Sequence, residues 1–148
     1  MKRILLTDST NWTALIARLA LGIVIFPHAA QKLLGWFGGN GFTGTMGYFT
    51  EVLGLPSIVA LFVILIEFFG SLFLIFGLLT RVSALGILGL FIGVASTNLK
   101  NGFFMNWTGT QSGEGLEYFI LLFGLAIIPI ILGAGKAGID SLLVKNKY

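Results

Sequence analysis

The sequence predicts an all-α protein, a transmembrane bundle of four helices. Of its 148 residues, 56% are hydrophobic and 10% are charged, whereas a soluble domain carries roughly 25% charged residues. The apolar residues form four runs, and the run from Ile58 to Leu79 contains a single charge, Glu67. Because each backbone amide in a bilayer must be satisfied within its own segment, these runs are expected to be spanning helices.

The helices are expected at about residues 12–34, 56–79, 82–99 and 116–132, all within one membrane domain that covers residues 1–148. The first helix is expected to be retained, because no small-x-small cleavage site follows it. A short break between the second and third helices predicts a tight hairpin. Two longer connections join the other helices, and both are rich in glycine and aromatic residues. The dense glycines of the first connection predict that it folds back against the bundle.

The two halves of the chain share a pattern that predicts an ancient duplication of a two-helix unit, with both copies in the same orientation. Both long connections contain Asn-Gly-Phe followed by Thr-Gly-Thr, beginning at Asn40 and at Asn101. The sequence around Glu67 also parallels the sequence around Glu117. One mismatch counts against this interpretation, since Glu67 lies in mid-helix and Glu117 near a helix start. The alternative is chance similarity between apolar segments.

Basic residues are distributed unequally between the two sides of the predicted bundle. One side carries Lys2, Arg3, Arg81, Lys136, Lys145 and Lys147, and the other carries Lys32 and Lys100. By the positive-inside rule, both termini and the hairpin are expected in the cytoplasm, and the long connections are expected to face outward. The net charge of +3 therefore fits a chain whose partner is the lipid bilayer, and binding to nucleic acid is not expected.

The residue types limit the chemistry that the chain performs alone. It contains no cysteine and one histidine, His28. This composition excludes disulfide exchange, thiolate catalysis and iron–sulfur ligation by this chain, and neither a metal site nor a covalently bound cofactor is expected. Electron transfer would therefore require a redox partner protein. No catalytic residue is assigned within the chain.

Glu67 is the strongest candidate for a site, because a carboxylate at bilayer depth costs several kcal/mol unless it is paired or protonated. A rise of about 1.5 Å per residue places Glu67 between Arg18 and His28 in height. A buried ion pair between Arg18 and Glu67 is predicted, because it neutralises both charges. Two alternatives remain open: Glu67 pairs with His28, or Arg18 extends toward the membrane surface.

A polar stripe on the first helix predicts where a ligand binds. His28, Gln31 and Lys32 share one helical face, because residues three and four apart are neighbours on a helix. Histidine exchanges protons near neutral pH, so His28 is a candidate for proton exchange with a ligand; the alternative is a histidine that only forms a hydrogen bond at the membrane interface. With Glu67 and Trp36, these residues form the predicted ligand site. The secondary polar candidates are Asn101, Glu117 and Tyr118.

Short motifs spread over most of the chain carry a resemblance to a known family. They include Arg18-Leu19-x-Leu21-Gly22, His28-x-x-Gln31-Lys32, Glu67-Phe68-x-Gly70, Gly77-Leu78-Leu79-Thr80-Arg81 and Asn101-Gly102-Phe103-Phe104. In these motifs and their order, from about residue 12 to residue 143, the chain resembles the DoxX family. Ala29 departs from the pattern, in which a glycine is expected after the histidine.

The resemblance implies a four-helix bundle in the cytoplasmic (inner) membrane of a bacterium or archaeon, associated with quinone-linked, respiratory or oxidative-stress oxidoreductase complexes. It favours a non-autonomous subunit that binds quinone through His28, Gln31 and Glu67, with the glycine- and aromatic-rich connections as walls. One alternative is an oligomeric transporter or binding protein for a small solute or lipid. Another is a structural anchor or assembly factor, in which the Arg18–Glu67 pair only stabilises packing.

Overall fold

The computed structural model describes residues 5–145, except the side chain of Lys145. Within this range the regular secondary structure consists of helices without strands, including six α-helices. The predicted all-α class is therefore confirmed. The expectations for Lys2, Arg3 and Lys147 lie outside the described residues, as does the expectation for the Lys145 side chain.

Four of these α-helices are long and two are short. The long helices are α1 (Trp12–Leu34), α3 (Ser57–Phe76), α4 (Thr80–Asn98) and α5 (Leu116–Leu132), and the short ones are α2 (Gly41–Gly47) and α6 (Ile139–Lys145). Helices α1 and α3 are long and apolar enough to cross a membrane, as is α4 together with the 3₁₀ turn that continues it to Asn101. Helix α5 is also apolar and has 17 residues.

The long helices share one core. Helix α1 packs along α3 and α5, and α4 packs along the same two helices. The buried side chains that meet between them include Leu21, Ile25, Leu74, Ile87, Phe91, Phe119 and Leu122. Large apolar side chains also cover the outside, among them Ile16, Ile23, Phe62, Leu85 and Leu121. Helices that are apolar on all sides are typical of membrane spans.

Helix α1 begins and ends at the predicted residues because its caps are local. The Asn11 side chain accepts a hydrogen bond from the backbone N–H of Ala14 at 2.9 Å, as expected for an N-cap. At the other end Gly35 has a φ of 73° and donates its N–H to the Ala30 carbonyl. A glycine tolerates this left-handed conformation, so the helix stops there.

The hairpin between α3 and α4 is tight, as predicted, but lies slightly earlier in the chain than expected. Gly77, at a φ of 67°, ends α3 at Phe76, and the N–H of Leu78 closes the turn on the Phe73 carbonyl at 2.9 Å. Helix α4 then begins at Thr80, two residues before the predicted start at 82. Its first N–H groups are bound by a carboxylate from α6, a contact that no local pattern indicates. The acceptor atoms are both oxygens of Asp140, at 2.7 Å from Leu79 N and 2.9 Å from Thr80 N.

The two ends of the long helices differ in what covers them. At the first, here called the terminal end, the hairpin meets the segments before α1 and after α5: Lys136 N–H donates to the Asn11 carbonyl at 3.0 Å, and Asp140 N–H to the Gly77 carbonyl at 2.9 Å. The opposite end, here called the loop end, carries the two long connections.

The first connection, residues 35–55, returns onto the helices at the loop end. It contains a 3₁₀ turn (Trp36–Gly38), helix α2 and a π-helical segment (Tyr48–Val52), and α2 packs against α1. Gly39 lies so close to the backbone of Gln31 that a Cβ atom would overlap it. Only glycine fits this approach, and the predicted return of the connection is confirmed.

The second connection, residues 102–115, is held by its own polar groups. The backbone N–H of Asn106 donates to Glu114 Oε2 at 2.9 Å, and the N–H of Met105 donates to Glu117 Oε2 at 3.0 Å. The N–H of Leu116 donates to the Gly102 carbonyl at 3.1 Å. These bonds fix the start of α5, and with it the position of Tyr118.

Candidate functional site

A charged pair joins α1 to α3 near the loop end. The Nζ atom of Lys32, in the last turn of α1, lies 2.6 Å from both carboxylate oxygens of Glu67, in the middle of α3. The Glu67 side chain is 1% exposed and that of Lys32 is 33% exposed. Burial of a lone carboxylate would cost several kcal/mol, and a hydrogen-bonded cation offsets that cost. Glu67 is therefore neutralised by Lys32.

The direction of helical side chains explains this pairing. In a helix the Cα–Cβ bonds tilt toward the N-terminus. The Lys32 side chain therefore runs back from the end of α1 toward the middle of the molecule, and its four-carbon stem reaches Glu67.

The ion pair predicted between Arg18 and Glu67 is not formed. The same tilt turns Arg18 toward the terminal end, away from Glu67. Arg18 is 1% exposed. Its guanidinium donates hydrogen bonds to backbone carbonyls at the C-terminal end of α3 and in the segment after α5. The acceptors are Leu74 at 2.9 Å, Ile75 at 2.6 Å, Ala134 at 2.7 Å and Lys136 at 3.2 Å. They lie where helices leave carbonyls without intrahelical partners, at the C-terminus and in the segment that follows, although the Leu74 carbonyl also accepts from the Gly77 N–H at 3.2 Å.

A cavity of about 300 Å³, here called cavity A, opens beside the Lys32–Glu67 pair. Side chains of all four long helices line it. They are Ile25, His28, Lys32, Glu67, Phe91, Val94, Asn98, Glu114, Tyr118 and Phe119, of which Glu114 comes from the second connection. A mainly apolar wall with a few polar groups is the usual lining of a small-molecule site.

A second cavity, here called cavity B, has a volume of about 540 Å³. It lies between α3, α4, the π-helical segment and the second connection. Lys32, Glu67, Phe91, Val94 and Asn98 line both cavities. The charged pair therefore stands in the wall that cavities A and B share.

The predicted stripe on α1 divides into two environments. His28 and Lys32 line cavity A, and the His28 side chain is exposed. Gln31 instead donates to the Phe37 carbonyl at 3.2 Å and so holds the 3₁₀ turn. Trp36 is 53% exposed and packs edge-to-face on Phe37, outside the lining of either cavity.

The secondary candidates also separate. Tyr118 lines cavity A together with the charged pair. The Glu117 carboxylate is bound to the Met105 N–H. Asn101 donates to Asn98 Oδ1 at 2.9 Å and accepts from the Ser112 hydroxyl at 2.9 Å, which stabilises the second connection. Glu117 and Asn101 therefore order the loop end and do not line cavity A or B.

Several lining residues were missed by the sequence analysis. Phe91, Val94 and Asn98 follow one another at intervals of three and four, so they share a face of α4. This spacing indicates a shared helix face, but it does not distinguish a cavity lining from ordinary packing, because apolar residues at helical spacing are common in any spanning helix. Glu114 carried no signal, because its position depends on the fold of the second connection.

Most of these residues lie in the part of the chain that matches a known family. The DoxX family model matches residues 13–107, more than half of the 148-residue chain. The chain belongs to the DoxX family. The resemblance carried by the sequence motifs is thereby confirmed, and the chain is a membrane protein. The matched region contains Lys32 and Glu67, and it ends before Glu114 and Tyr118.

Two similar proteins span nearly the same length. The chain is 30% identical over 134 residues to the inner membrane protein YqjF of Escherichia coli (strain K12). The aligned region covers 89% of this chain and 92% of YqjF. It is 29% identical over 134 residues to the Bacillus subtilis (strain 168) protein named "Putative oxidoreductase CatD". This aligned region covers 90% of this chain and 88% of CatD. No solved structure shows a match to the chain.

Proposed function

We propose that this DoxX-family protein binds a quinone in cavity A, as a non-autonomous subunit of a membrane oxidoreductase complex. The observation that carries the proposal is the Lys32–Glu67 pair, which places a partly exposed donor and a buried acceptor in the wall of a cavity. The name of the relative CatD supports an oxidoreductase context.

The chemistry of the lining fits a quinone. A quinone carbonyl accepts hydrogen bonds, and the corresponding quinol donates them. Lys32 supplies a donor and Glu67 an acceptor, so the pair suits both forms. The rings of Phe91, Tyr118 and Phe119 line the same cavity and suit the face or edge of a flat ring. The volume of about 300 Å³ lies at the lower end of the range for small-molecule sites, roughly 300–1,000 Å³.

The charge of the pair favours a neutral ligand. Both oxygens of Glu67 are bound to Lys32. An anionic ligand that took the ammonium would leave Glu67 as an uncompensated buried charge, which is strongly unfavourable. A neutral ring compound avoids this cost. His28, exposed beside the same cavity, both donates and accepts through its imidazole and is placed to exchange protons with the surroundings.

A partner protein completes the redox function. The chain has no cysteine and one histidine, and among residues 5–145 no group of three or more metal-ligating side chains occurs. We therefore assign the electron-carrying centre to a partner protein. This chain would bind the quinone and exchange protons with it.

We also propose that α5 is a fourth span and that both termini face the cytoplasm of a bacterial cell. Seventeen residues reach the lower limit for a spanning helix, about 17–25. The absence of cysteine makes the test direct. A cysteine introduced at Trp107 should react in intact cells with a reagent that does not cross membranes, and one at Lys136 only after lysis. Equal labelling of both would overturn this orientation.

The duplication of a two-helix unit has support from contacts at the terminal end. Arg18 of α1 binds carbonyls in the last turn of α3. Arg81 of α4 binds the Ile130 carbonyl in the last turn of α5, at 2.5 Å. Each arginine therefore lies on the first helix of a pair and holds the end of the second, as expected for two copies of one unit.

The quinone proposal is tested by mass spectrometry of organic extracts from gently purified protein. Wild-type protein is expected to retain quinone near stoichiometry, and Lys32→Gln and Glu67→Gln variants to lose most of it. Glu51→Gln is the matched control, since this glutamate of the π-helical segment is exposed and lines neither cavity. Quinone at the level of an unrelated membrane protein would overturn the proposal. A folded Lys32→Met, Glu67→Met double variant with wild-type activity in its complex would instead favour the anchor.

A further inference from the structure

Cavity B differs from cavity A in the charge of its lining. Cavity A contains one lysine, Lys32, and two glutamates, Glu67 and Glu114. Cavity B contains two lysines, Lys32 and Lys100, and one glutamate, Glu67. Because Lys32 and Glu67 neutralise each other, the remaining charge is negative at cavity A and positive at cavity B.

The positive charge of cavity B has no acidic partner in its lining. Glu67 is the one acidic residue there, and Lys32 occupies both of its oxygens at 2.6 Å. Among the described residues, neither the Lys100 ammonium nor the Tyr48 hydroxyl forms a hydrogen bond. The hydroxyls of Thr97 and Ser112 are already committed, since they donate to the Val94 carbonyl and to Asn101 Oδ1. Among the described residues that line cavity B, Lys100 and Tyr48 are therefore donors that have no hydrogen-bond partner.

Apart from Asn98, whose amide donates to the Val94 carbonyl and the Thr97 hydroxyl, the rest of the lining is apolar. Val63 comes from α3, Leu90 and Phe91 from α4, and Phe49 and Leu53 from the π-helical segment and its end. Tyr48 belongs to the first connection and Lys100 to the 3₁₀ turn that continues α4 at the loop end. Val63 and Leu90, by contrast, lie on the long helices. The cavity thus combines a cationic, hydrogen-bonding rim with a hydrocarbon-like interior, and its volume of about 540 Å³ exceeds that of cavity A.

We propose that cavity B binds an anionic amphiphile, separately from the quinone proposed for cavity A. The oxyanion headgroup pairs with Lys100 and accepts a hydrogen bond from Tyr48, and the apolar chain lies against Val63 and Leu90. Two membrane components share this chemistry, an anionic phospholipid and a free fatty acid. A zwitterionic lipid brings a second positive charge toward Lys100 and binds less well.

Native mass spectrometry of purified protein tests this site directly. The protein is mixed with phosphatidylglycerol, phosphatidylcholine or oleate at equal concentrations, and bound ligand is counted. Wild type is expected to retain an anionic ligand at least threefold better than phosphatidylcholine. Whichever of phosphatidylglycerol and oleate is retained better identifies the source of the headgroup.

Two lysine variants separate the site from general lipid binding. Lys100→Gln is expected to abolish the preference for anionic ligands. Lys136→Gln is expected to retain it, because Lys136 lies at the terminal end, where its ammonium is 4.0 Å from the centroid of the Trp12 ring. A Val63→Phe variant, which fills the interior, should lower retention with Lys100 intact. Equal retention of the charged and zwitterionic lipids by wild type, or equal losses in both lysine variants, would overturn the proposal. Quinone content is measured in the same samples: quinone retained by Lys100→Gln protein that has lost the lipid preference separates the two proposed sites.

Discussion

The two ends of the molecule treat buried charge in opposite ways. At the terminal end, Arg18 and Asp140, each 1% exposed, are bound to backbone groups: the guanidinium to carbonyls and the carboxylate to the first N–H groups of α4. At the loop end, Lys32 and Glu67 are bound to each other, with a cavity on either side.

This difference separates structural charges from candidate functional ones. A side chain that is hydrogen-bonded to a helix terminus can bind a ligand only if a backbone group loses its partner. Leaving a buried backbone group unpaired costs free energy of folding. A pair of side chains beside a cavity can share its donor and acceptor with a ligand at little structural cost. Burial alone therefore does not mark a site, and the identity of the hydrogen-bond partner does.

The largest effect is expected at the terminal end. Arg18→Gln leaves up to four buried or partly buried carbonyls without their charged donor and should lower the free energy of unfolding by about 3–5 kcal/mol. Denaturant titration in detergent measures it. Arg81→Gln, which loses contacts that are partly exposed, should cost less. Wild-type stability of Arg18→Gln would refute the assigned structural role.

A single and a double variant at the loop end should separate stability from binding. Glu67→Met leaves the Lys32 ammonium unpaired, but this residue is partly exposed and can reach water, so we expect a loss of about 2–3 kcal/mol. The Lys32→Met, Glu67→Met double variant should return to within about 1 kcal/mol of wild type, since both charges are gone. Quinone binding should stay absent in both. Recovery of binding together with stability would contradict the site.

Asp140→Asn should have a smaller effect, limited to stability. The amide keeps one acceptor oxygen for two N–H groups and loses the charge that favours a helix N-terminus, so a cost of about 1–2 kcal/mol is expected. Quinone content should remain at the wild-type level. A loss of quinone from folded Asp140→Asn protein would mean that the two ends are coupled.

The smallest effect is expected for Tyr118→Phe. Removing one hydroxyl from cavity A should weaken quinone binding about fivefold, which corresponds to roughly 1 kcal/mol, with stability unchanged. Trp107→Phe is the control, because Trp107 is 79% exposed and lines neither cavity. Titration with a soluble quinone analogue measures both variants, and identical affinities for Tyr118→Phe and wild type would exclude the hydroxyl as a partner.

The sequence predicted those features that depend on neighbouring residues. Helix α1, which Asn11 and Gly35 cap, covers the expected residues 12–34. Glu67 was correctly predicted to be a buried charge on the second long helix. Contacts between distant segments were not predictable in the same way. Asp140 starts α4 from a position 60 residues further along the chain.

The partner of Glu67 was missed for a geometric reason. Counting residues along α1 gives the heights of Cα atoms, but a long side chain ends about a turn away from its own Cα atom. The tilt toward the helix N-terminus brings Lys32 to Glu67 and takes Arg18 away from it. The cavities need side chains from several helices at once, so no single segment indicated them.

The most direct test of the central claim is cross-linking with a photoreactive quinone, followed by peptide mass spectrometry. The label is expected on peptides that contain residues 91–98 and 114–119, and excess quinone should displace it. It should be lost in folded Glu67→Gln protein and retained in Glu51→Gln protein, because Glu51 is exposed and lines neither cavity. The apolar groove of about 400 Å³ lined by Phe62, Phe69 and Val82 is the competing location. Label confined to that groove and unaffected by Glu67→Gln would contradict the assignment of the Lys32–Glu67 pair as the ligand site.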